Sequence, residues 1–243
     1  MVGASNTASM STDVVLFDLD DTLYPYAPCN EAGKREAWRT ALELGYDLDR
    51  DAFESLYREG RRETKRELAG TASAHERFLY FKRAIQSHTG THKSEHALEL
   101  GEAYWDAYVH EMELYDDVEP VLQDLRAADR DVGIVTNLTT RIQLKKIHQL
   151  GIEPCVDLLL TSEETGREKP SSVMFTNPIA QLDARPSDAT FVGDSPTSDV
   201  EGANAVGLQT VLFDPRHEHD ALEGRMRPDH HIDEFASVIE VVL

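Results

Sequence analysis

The sequence predicts an α/β protein, a doubly wound parallel sheet interrupted by a helical insertion. Three observations carry that prediction. Short apolar runs such as Val14–Phe17, and Ala189–Val192 with its single Thr190, read as buried strands. Beyond Asp116 such runs alternate with helix-length amphipathic stretches, the pattern of a parallel sheet covered by helices. From about residue 30 to residue 110 the chain is free of proline and rich in Glu, Arg, Ala and Leu, with apolar residues at helical spacing.

Taken in order, residues 1–12 are Ser/Thr/Ala-rich, with no basic segment leading into an apolar one. They read as a disordered tail rather than a secretory signal. Val14–Phe17 is the first strand, closed by Asp18-Leu19-Asp20-Asp21. The insertion resolves into four helices. Their apolar sets are Ala37/Trp38/Ala41/Leu42/Leu44, Phe53/Leu56/Tyr57, Phe78/Leu79/Ile85 and Leu98/Tyr104/Trp105/Tyr108, with breaks near 45–49, 70–73 and 89–91. A helix over 118–127 follows, then a strand over 132–135 and a helix over 138–150 ended by Gly151. Next come a strand over 156–160 and a helix over 171–182 that Pro178 should interrupt. The strand 189–192, a helix over 197–206 ended by Gly207, and a strand over 210–213 complete the alternation, with a helix over 235–242. The expected organisation is a Rossmann-like core of residues 13–27 and 113–243, with a helical cap domain of residues 28–112.

At 243 residues and 40% hydrophobic the chain can bury a real core, and no apolar run approaches the ~18 residues of a membrane-spanning helix. Forty-five acidic against 24 basic residues give a net charge of −21, which excludes nucleic-acid backbone and anionic membrane as partners. The acids are spread along the chain, so the whole surface is acidic. Such a surface suits high salt, where the Debye length falls to ~3 Å at 1 M and self-repulsion fades. The expectation is a cytoplasmic protein of a salt-loving organism, monomeric or at most a weak homodimer. Two cysteines, Cys29 and Cys155, read as reduced thiols.

Ligands of doubly wound sheets bind outside the carboxyl ends of the strands. Asp18-Leu19-Asp20-Asp21-Thr22 follows the first strand, Thr136-Asn137 the second, and Gly193-Asp194-Ser195 the fourth, with Asp199 five residues beyond Asp194. Glu168-Lys169-Pro170 lies between them. Carboxylates, a hydroxyl and a lysine thus converge on one edge. Hard oxygen ligands suit Mg²⁺, and a lysine and a threonine suit phosphoryl oxygens.

Asp18-x-Asp20-x-Thr22, the strand-ending Thr136, Lys169 before a proline, and Gly193-Asp194-Ser195-x-x-x-Asp199 resemble, in order, the four motifs of the haloacid dehalogenase (HAD) superfamily. The insertion resembles that family's C1 cap. The resemblance implies an aspartyl-phosphate mechanism. Asp18 would be the nucleophile and Asp20 the general acid and then base. Thr136 and the backbone N–H of Asn137 would hold the phosphoryl group, and Lys169 would stabilise nucleophile and phosphoryl charge. Mg²⁺ would be held by the Asp18 carboxylate, the Asp20 carbonyl and Asp194, with Asp199 a further acidic partner. Dehalogenases and phosphonatases of the superfamily lack an acid at the position of Asp20, so hydrolysis of a phosphomonoester is expected.

Asp18-Leu19-Asp20-Asp21-Thr22-Leu23-Tyr24-Pro25 resembles the pyrimidine 5′-nucleotidase-like branch, which implies a small phosphorylated metabolite such as a nucleoside monophosphate. The alternatives are a sugar-phosphate or phosphoglycolate phosphatase, a phosphomutase, or a non-hydrolytic phospho-accepting or binding protein. Tyr24 and Tyr26 read either as stacking groups for a substrate or as packing at the hinge. The run Arg61, Arg62, Arg66 reads as a solvated helix face rather than an anion site. His217, His219, His230 and His231 read as loop and strand residues rather than metal ligands.

Overall fold

The computed structural model describes residues 13–219 and 221–243; the tail expected over 1–12 lies outside the described residues. Six strands make one parallel sheet: β1 (Val14–Phe17), β2 (Asp131–Thr136), β3 (Leu158–Thr161), β4 (Ala189–Gly193), β5 (Gln209–Phe213) and β6 (His230–Ile232). Their order is β3-β2-β1-β4-β5-β6. Central β1 pairs with β2 on one side and β4 on the other, with Phe17 level with Ile134 and Val192. The chain therefore leaves β1 in opposite directions, and a crevice opens at the carboxyl ends of these three strands.

Strand alternation sends side chains to two separate cores. Val15, Phe17, Val132, Ile134, Val211 and Phe213 join one cluster; Val14, Leu16, Val135, Leu160 and Phe191 join the other. This two-sided burial explains why the strands read as continuous apolar runs.

Between β1 and the rest lie α1 (Tyr26–Glu43), α2 (Arg50–Glu67), α3 (Arg77–Thr89) and α4 (Ser94–His110). Asp49 caps α2 by accepting from Ala52 N at 2.8 Å, and left-handed Gly90 ends α3. Helices α1 and α4 approach closely at Gly33, where a Cβ would lie 2.8 Å from the Tyr104 carbonyl oxygen. The first helix starts at Tyr26, inside the segment the sequence assigned to the core.

The core helices are α5 (Val118–Ala127), α6 (Thr140–Leu150), α7 (Ser162–Thr165), α8 (Val173–Gln181), α9 (Glu201–Val206) and α10 (Val238–Val242). Several bounds differ from expectation. Helix α8 runs through Pro178 instead of breaking there. The ring removes one backbone donor, but Met174, Phe175, Pro178 and Ile179 form a continuous buried face on the sheet that outweighs the loss. Val156 and Asp157 precede β3 rather than joining it; the Asp157 carboxylate accepts from Val132 N at 2.9 Å and finishes the sheet edge. The stretch expected as one helix over 197–206 is a π-helical turn, Pro196–Val200, followed by α9. The expected helix over 235–242 opens with a 3₁₀ turn, Phe235–Ser237. Helix α7, with its Thr161–Glu164 capping box, carried no apolar periodicity to announce it. Among the described residues no helix is long and apolar enough to cross a membrane.

Candidate active site

Asp18 is the first residue beyond β1, and its N–H donates to the Val192 carbonyl at 2.9 Å. That bond carries the ladder one residue further and aims the carboxylate into the crevice. Asp18 Oδ1 accepts from Lys169 Nζ at 2.5 Å, and the same ammonium lies 2.7 Å from Asp199 Oδ1. Lys169 and Asp199 are almost wholly buried. Burial pushes the Asp18 carboxyl up to about 7, with Lys169 opposing and Asp199 and Asp20 adding to the rise. The two carboxylates outweigh desolvation at Lys169 and hold its ammonium above the usual lysine range.

Asp194, at the end of β4, accepts from Thr22 Oγ1 at 3.3 Å. Burial pushes its carboxyl up to about 9, helped by Asp199, Asp18 and Asp21. Asp18, Asp194 and Asp199 each place one ligand atom within 4.8 Å of the others. Crowded carboxylates sharing a single lysine carry more negative charge than the protein neutralises. The set fits a hard divalent cation.

Asp20 faces a different group. Its Oδ1 accepts from Lys146 Nζ at 2.5 Å, from the Tyr24 hydroxyl, and from the Tyr108 hydroxyl at 3.4 Å. Burial opposes ionisation, but Lys146 prevails and holds the Asp20 carboxyl below the usual range. Lys146 is 1% exposed, with its ammonium over the rings of Tyr108, Tyr24 and Trp105 at 5.2 to 5.8 Å. The sequence offered a signal for Lys146. It shares the buried face of α6 with Ile142, Gln143 and Ile147, a charge inside an apolar stripe.

The structure places the other expected residues as follows. Thr136 ends β2 but is wholly buried, and its Oγ1 accepts from Gln143 Nε2 at 2.6 Å. From that strand end Asn137 and Leu138 reach the cavity, while the Thr136 hydroxyl faces inward. Asn137 Oδ1 accepts from Lys169 N at 2.9 Å and so fixes the lysine loop. Asp21 adopts a left-handed turn (φ 63°), accepts from Tyr26 N and pairs with Arg216 at 3.2 Å. Tyr24 is packed between core and insertion with no face for a substrate, whereas Tyr26 lines the cavity. The histidines near the C-terminus disperse: His231 to Asp214, His230 to Gln209 and His217 to Asp233.

The cavity between sheet and insertion has a volume of about 250 Å³. Asp18, Asp20, Lys146 and Lys169 line it from the core; Arg61, Lys65, His75 and Arg77 line it from the helices. Arg61 qualifies the expectation of a purely solvated face: it is exposed like Arg62 and Arg66, but it alone of the three stands on the cavity lining. The insertion is fastened over the cavity through Glu168. Its N–H donates to Gly70 O at 3.1 Å, and its carboxylate takes Gly70 N at 3.0 Å and meets His75 Nε2 at 2.6 Å.

Residues 12–207 match the model of the haloacid dehalogenase-like hydrolases. The chain belongs to that family. The resemblance in the motifs is thereby established for the greater part of this HAD hydrolase. A ribulose-1,5-bisphosphate 5-phosphatase of Halopiger xanaduensis is 55% identical over 234 residues, covering 94% of this chain and 98% of that protein. A glyceraldehyde 3-phosphate phosphatase of Methanopyrus kandleri is 32% identical over 236 residues, covering 94% and 96%. In fold, a 2-haloacid dehalogenase from Pseudomonas syringae pv. Tomato DC3000 superposes with a TM-score of 0.74 at 23% identity, covering 95% of this chain and 97% of that one. This HAD hydrolase is a phosphatase with the expected α/β fold, and its relatives act on small phosphorylated metabolites.

Proposed function

We propose that the protein is a Mg²⁺-dependent phosphatase that hydrolyses a phosphomonoester of a small sugar through an aspartyl-phosphate on Asp18. The ribulose-1,5-bisphosphate named for the Halopiger xanaduensis relative is the first candidate. The observation that carries the reading is the pairing of two carboxylates with opposite surroundings on one cavity wall. Asp18 lies against Lys169 and the metal-competent acids, and Asp20 against Lys146 and two tyrosine hydroxyls. The two carboxylates thus stand in different surroundings on one wall, Asp18 on the side of the metal-competent acids and Asp20 on the side of the insertion.

In this reading Asp18 attacks phosphorus in line and the alcohol departs on the side of Asp20. Asp20, ionised beside Lys146 in the free protein, takes up a proton as the anionic substrate enters, gives it to the leaving oxygen, then takes one from the water that cleaves the acyl phosphate. Lys169 favours the ionised form of Asp18 against its burial and binds phosphoryl oxygens, joined by the Asn137 N–H, with Thr136 and Gln143 bracing the loop. Asp18, Asp194 and the Asp20 carbonyl would hold Mg²⁺, with Asp199 setting their charge through Lys169. When bound, the ion would neutralise phosphoryl charge. Residues 28–112 act as the cap that chooses the leaving group. The lining favours a sugar over a nucleoside. Tyr26 is the aromatic residue on it, and charged and polar groups occupy nearly all the rest. We also place the enzyme in the cytoplasm of a salt-loving cell, as a monomer or weak homodimer, on the strength of its −21 charge.

The test is phosphate release from a panel of sugar phosphates, phosphoglycolate and nucleoside monophosphates in molar salt, with Mg²⁺ or chelator, beside Asp18→Asn. Metal-dependent release concentrated on sugar phosphates and absent in Asp18→Asn is expected. Release that survives in Asp18→Asn removes the nucleophile, and preference for nucleoside monophosphates removes the sugar assignment.

A further inference from the structure

Three cations on the insertion face the catalytic carboxylates across the cavity. Arg61 and Lys65 are one turn apart on α2 and present the same face. Arg77 opens α3 and is 6% exposed. Its guanidinium donates to neutral oxygens: the Tyr26 hydroxyl at 2.7 Å, the Tyr104 hydroxyl at 3.3 Å and the His75 carbonyl at 2.5 Å. It also lies 4.8 Å from the ring centre of Trp105. Among the described residues, none of the three forms an ion pair with a carboxylate. The acids nearest to them are committed elsewhere, Glu168 to His75 and Gly70, and Asp20 to Lys146.

This gathering stands out in a chain with 45 acids and 24 basic residues. Acid is plentiful, yet the wall carries three unneutralised cations. Their crowding is itself unfavourable: burial and the neighbouring Arg61 and Arg77 charges all pull the Lys65 ammonium below the usual lysine range. A buried, uncompensated guanidinium is among the costlier things a fold can keep. A dianion placed among the three would relieve both penalties at once.

We propose that Arg61, Lys65 and Arg77 form a second phosphate subsite, which holds the distal phosphoryl group of a bisphosphorylated sugar while Asp18 attacks the other. The proposal rests on the phosphatase reading above and deepens it by naming the residues that select the substrate. Two guanidinium forks and one ammonium match the several oxygens and double charge of a phosphate. A single carboxylate would leave two of the three cations unneutralised. The cavity, about 250 Å³, has room for a sugar of a few carbons between the two poles. Discrimination follows from the geometry: a monophosphate bound at Asp18 leaves this wall unpartnered, so its transition state is held less tightly.

The experiment compares kcat/KM for ribulose 1,5-bisphosphate with that for ribulose 5-phosphate, in wild type, Arg61→Ala, Lys65→Ala and the double variant. Circular dichroism checks that each is folded. Charge-assisted contacts of this kind predict about a tenfold loss per cation on the bisphosphate, and about 100-fold for both, with less than about threefold change on the monophosphate. Equal losses on the two substrates, or an unchanged bisphosphate rate in the double variant, would overturn the subsite. Equal wild-type preference for an ester bearing a distal carboxylate would overturn the phosphate assignment. Calorimetric binding of the bisphosphate to Asp18→Asn, with and without the two alanine substitutions, reads the subsite independently of turnover. If the wild type hydrolyses no ester, the phosphatase reading falls. Binding weakened by the substitutions would still support the subsite, and binding indifferent to them would refute it.

Discussion

The substitution Lys146→Met removes the ammonium held 2.5 Å from Asp20 Oδ1 while keeping most of the side-chain volume. Lys146 is 1% exposed and the Asp20 side chain 28%, so the pair is asymmetric. Breaking a buried ion pair from one side costs about 3–5 kcal/mol. Asp20 keeps two tyrosine hydroxyls and an open side toward the cavity, which places Lys146→Met at the low end, about 3 kcal/mol. Asp20→Asn strands the ammonium instead. Three aromatic rings soften that loss by roughly 0.5–2 kcal/mol, leaving it near 3 kcal/mol as well. Removing both partners leaves no uncompensated charge. The double variant should therefore lose about 3 kcal/mol rather than the roughly 6 of simple addition. Urea titration in molar salt measures all four proteins, and each single change should lower Tm by about 6–12 °C. A double-variant loss equal to the sum of the singles, within about 0.5 kcal/mol, would refute the claim that these two groups hold each other.

The same contacts set three further expectations. Asp20→Asn should slow hydrolysis by about 10²–10⁴ on alkyl phosphates and less on aryl phosphates, whose leaving groups need little protonation; equal losses would count against the acid role. In chelator, burial lifts the Asp18 carboxyl to about 7 and the Asp194 carboxyl to about 9, from 3.8. The metal-free native state then holds protons that the unfolded chain has released, so its stability must fall as pH rises from about 4 to about 9. Thermal melts in chelator should show that decline and Mg²⁺ should flatten it; a flat profile in chelator would remove the argument. In Gly193→Ala, the new Cβ would lie 2.5 Å from the Asp199 carboxylate and push it off Lys169 and Ser195. Mg²⁺ titration of activity should then need roughly tenfold more metal, and an unchanged requirement would show that Asp199 has no part in metal binding.

Much of the architecture was legible because apolar periodicity is a local property. The strand cores and the four inserted helices follow from runs and spacings that any short window contains. What failed was not local in cause. A proline inside α8 and a widened turn at Pro196–Val200 obey tertiary packing, which no window records. Asp18, Lys169 and Asp199 could be gathered at one edge in advance because strand ends and the loops beyond them share that edge; the role of Lys169 came from the family resemblance. Lys146 and Arg77 were not, since both sit on helices, where a basic residue is ordinarily solvated; the apolar stripe around Lys146 marked it as buried but not as the partner of Asp20. Thr136 illustrates the opposite error. Its position at a strand end was right, but Gln143, one helical turn into α6, claims its hydroxyl. Arg61 was visible as a charge, and only the orientation of α2 distinguishes it from its neighbour Arg62.

Glu168 fastens the insertion, and it is also the residue immediately before Lys169. Asn137 grips the following peptide at Lys169 N. Any displacement of Gly70 or His75 would therefore pull on the backbone that aims the ammonium at Asp18. One short stretch of chain thus serves two neighbours: Glu168 answers to the insertion, and Lys169 answers to the nucleophile. The fit of the insertion and the aim of the ammonium are set by a single backbone, so a change that loosens one is felt by the other.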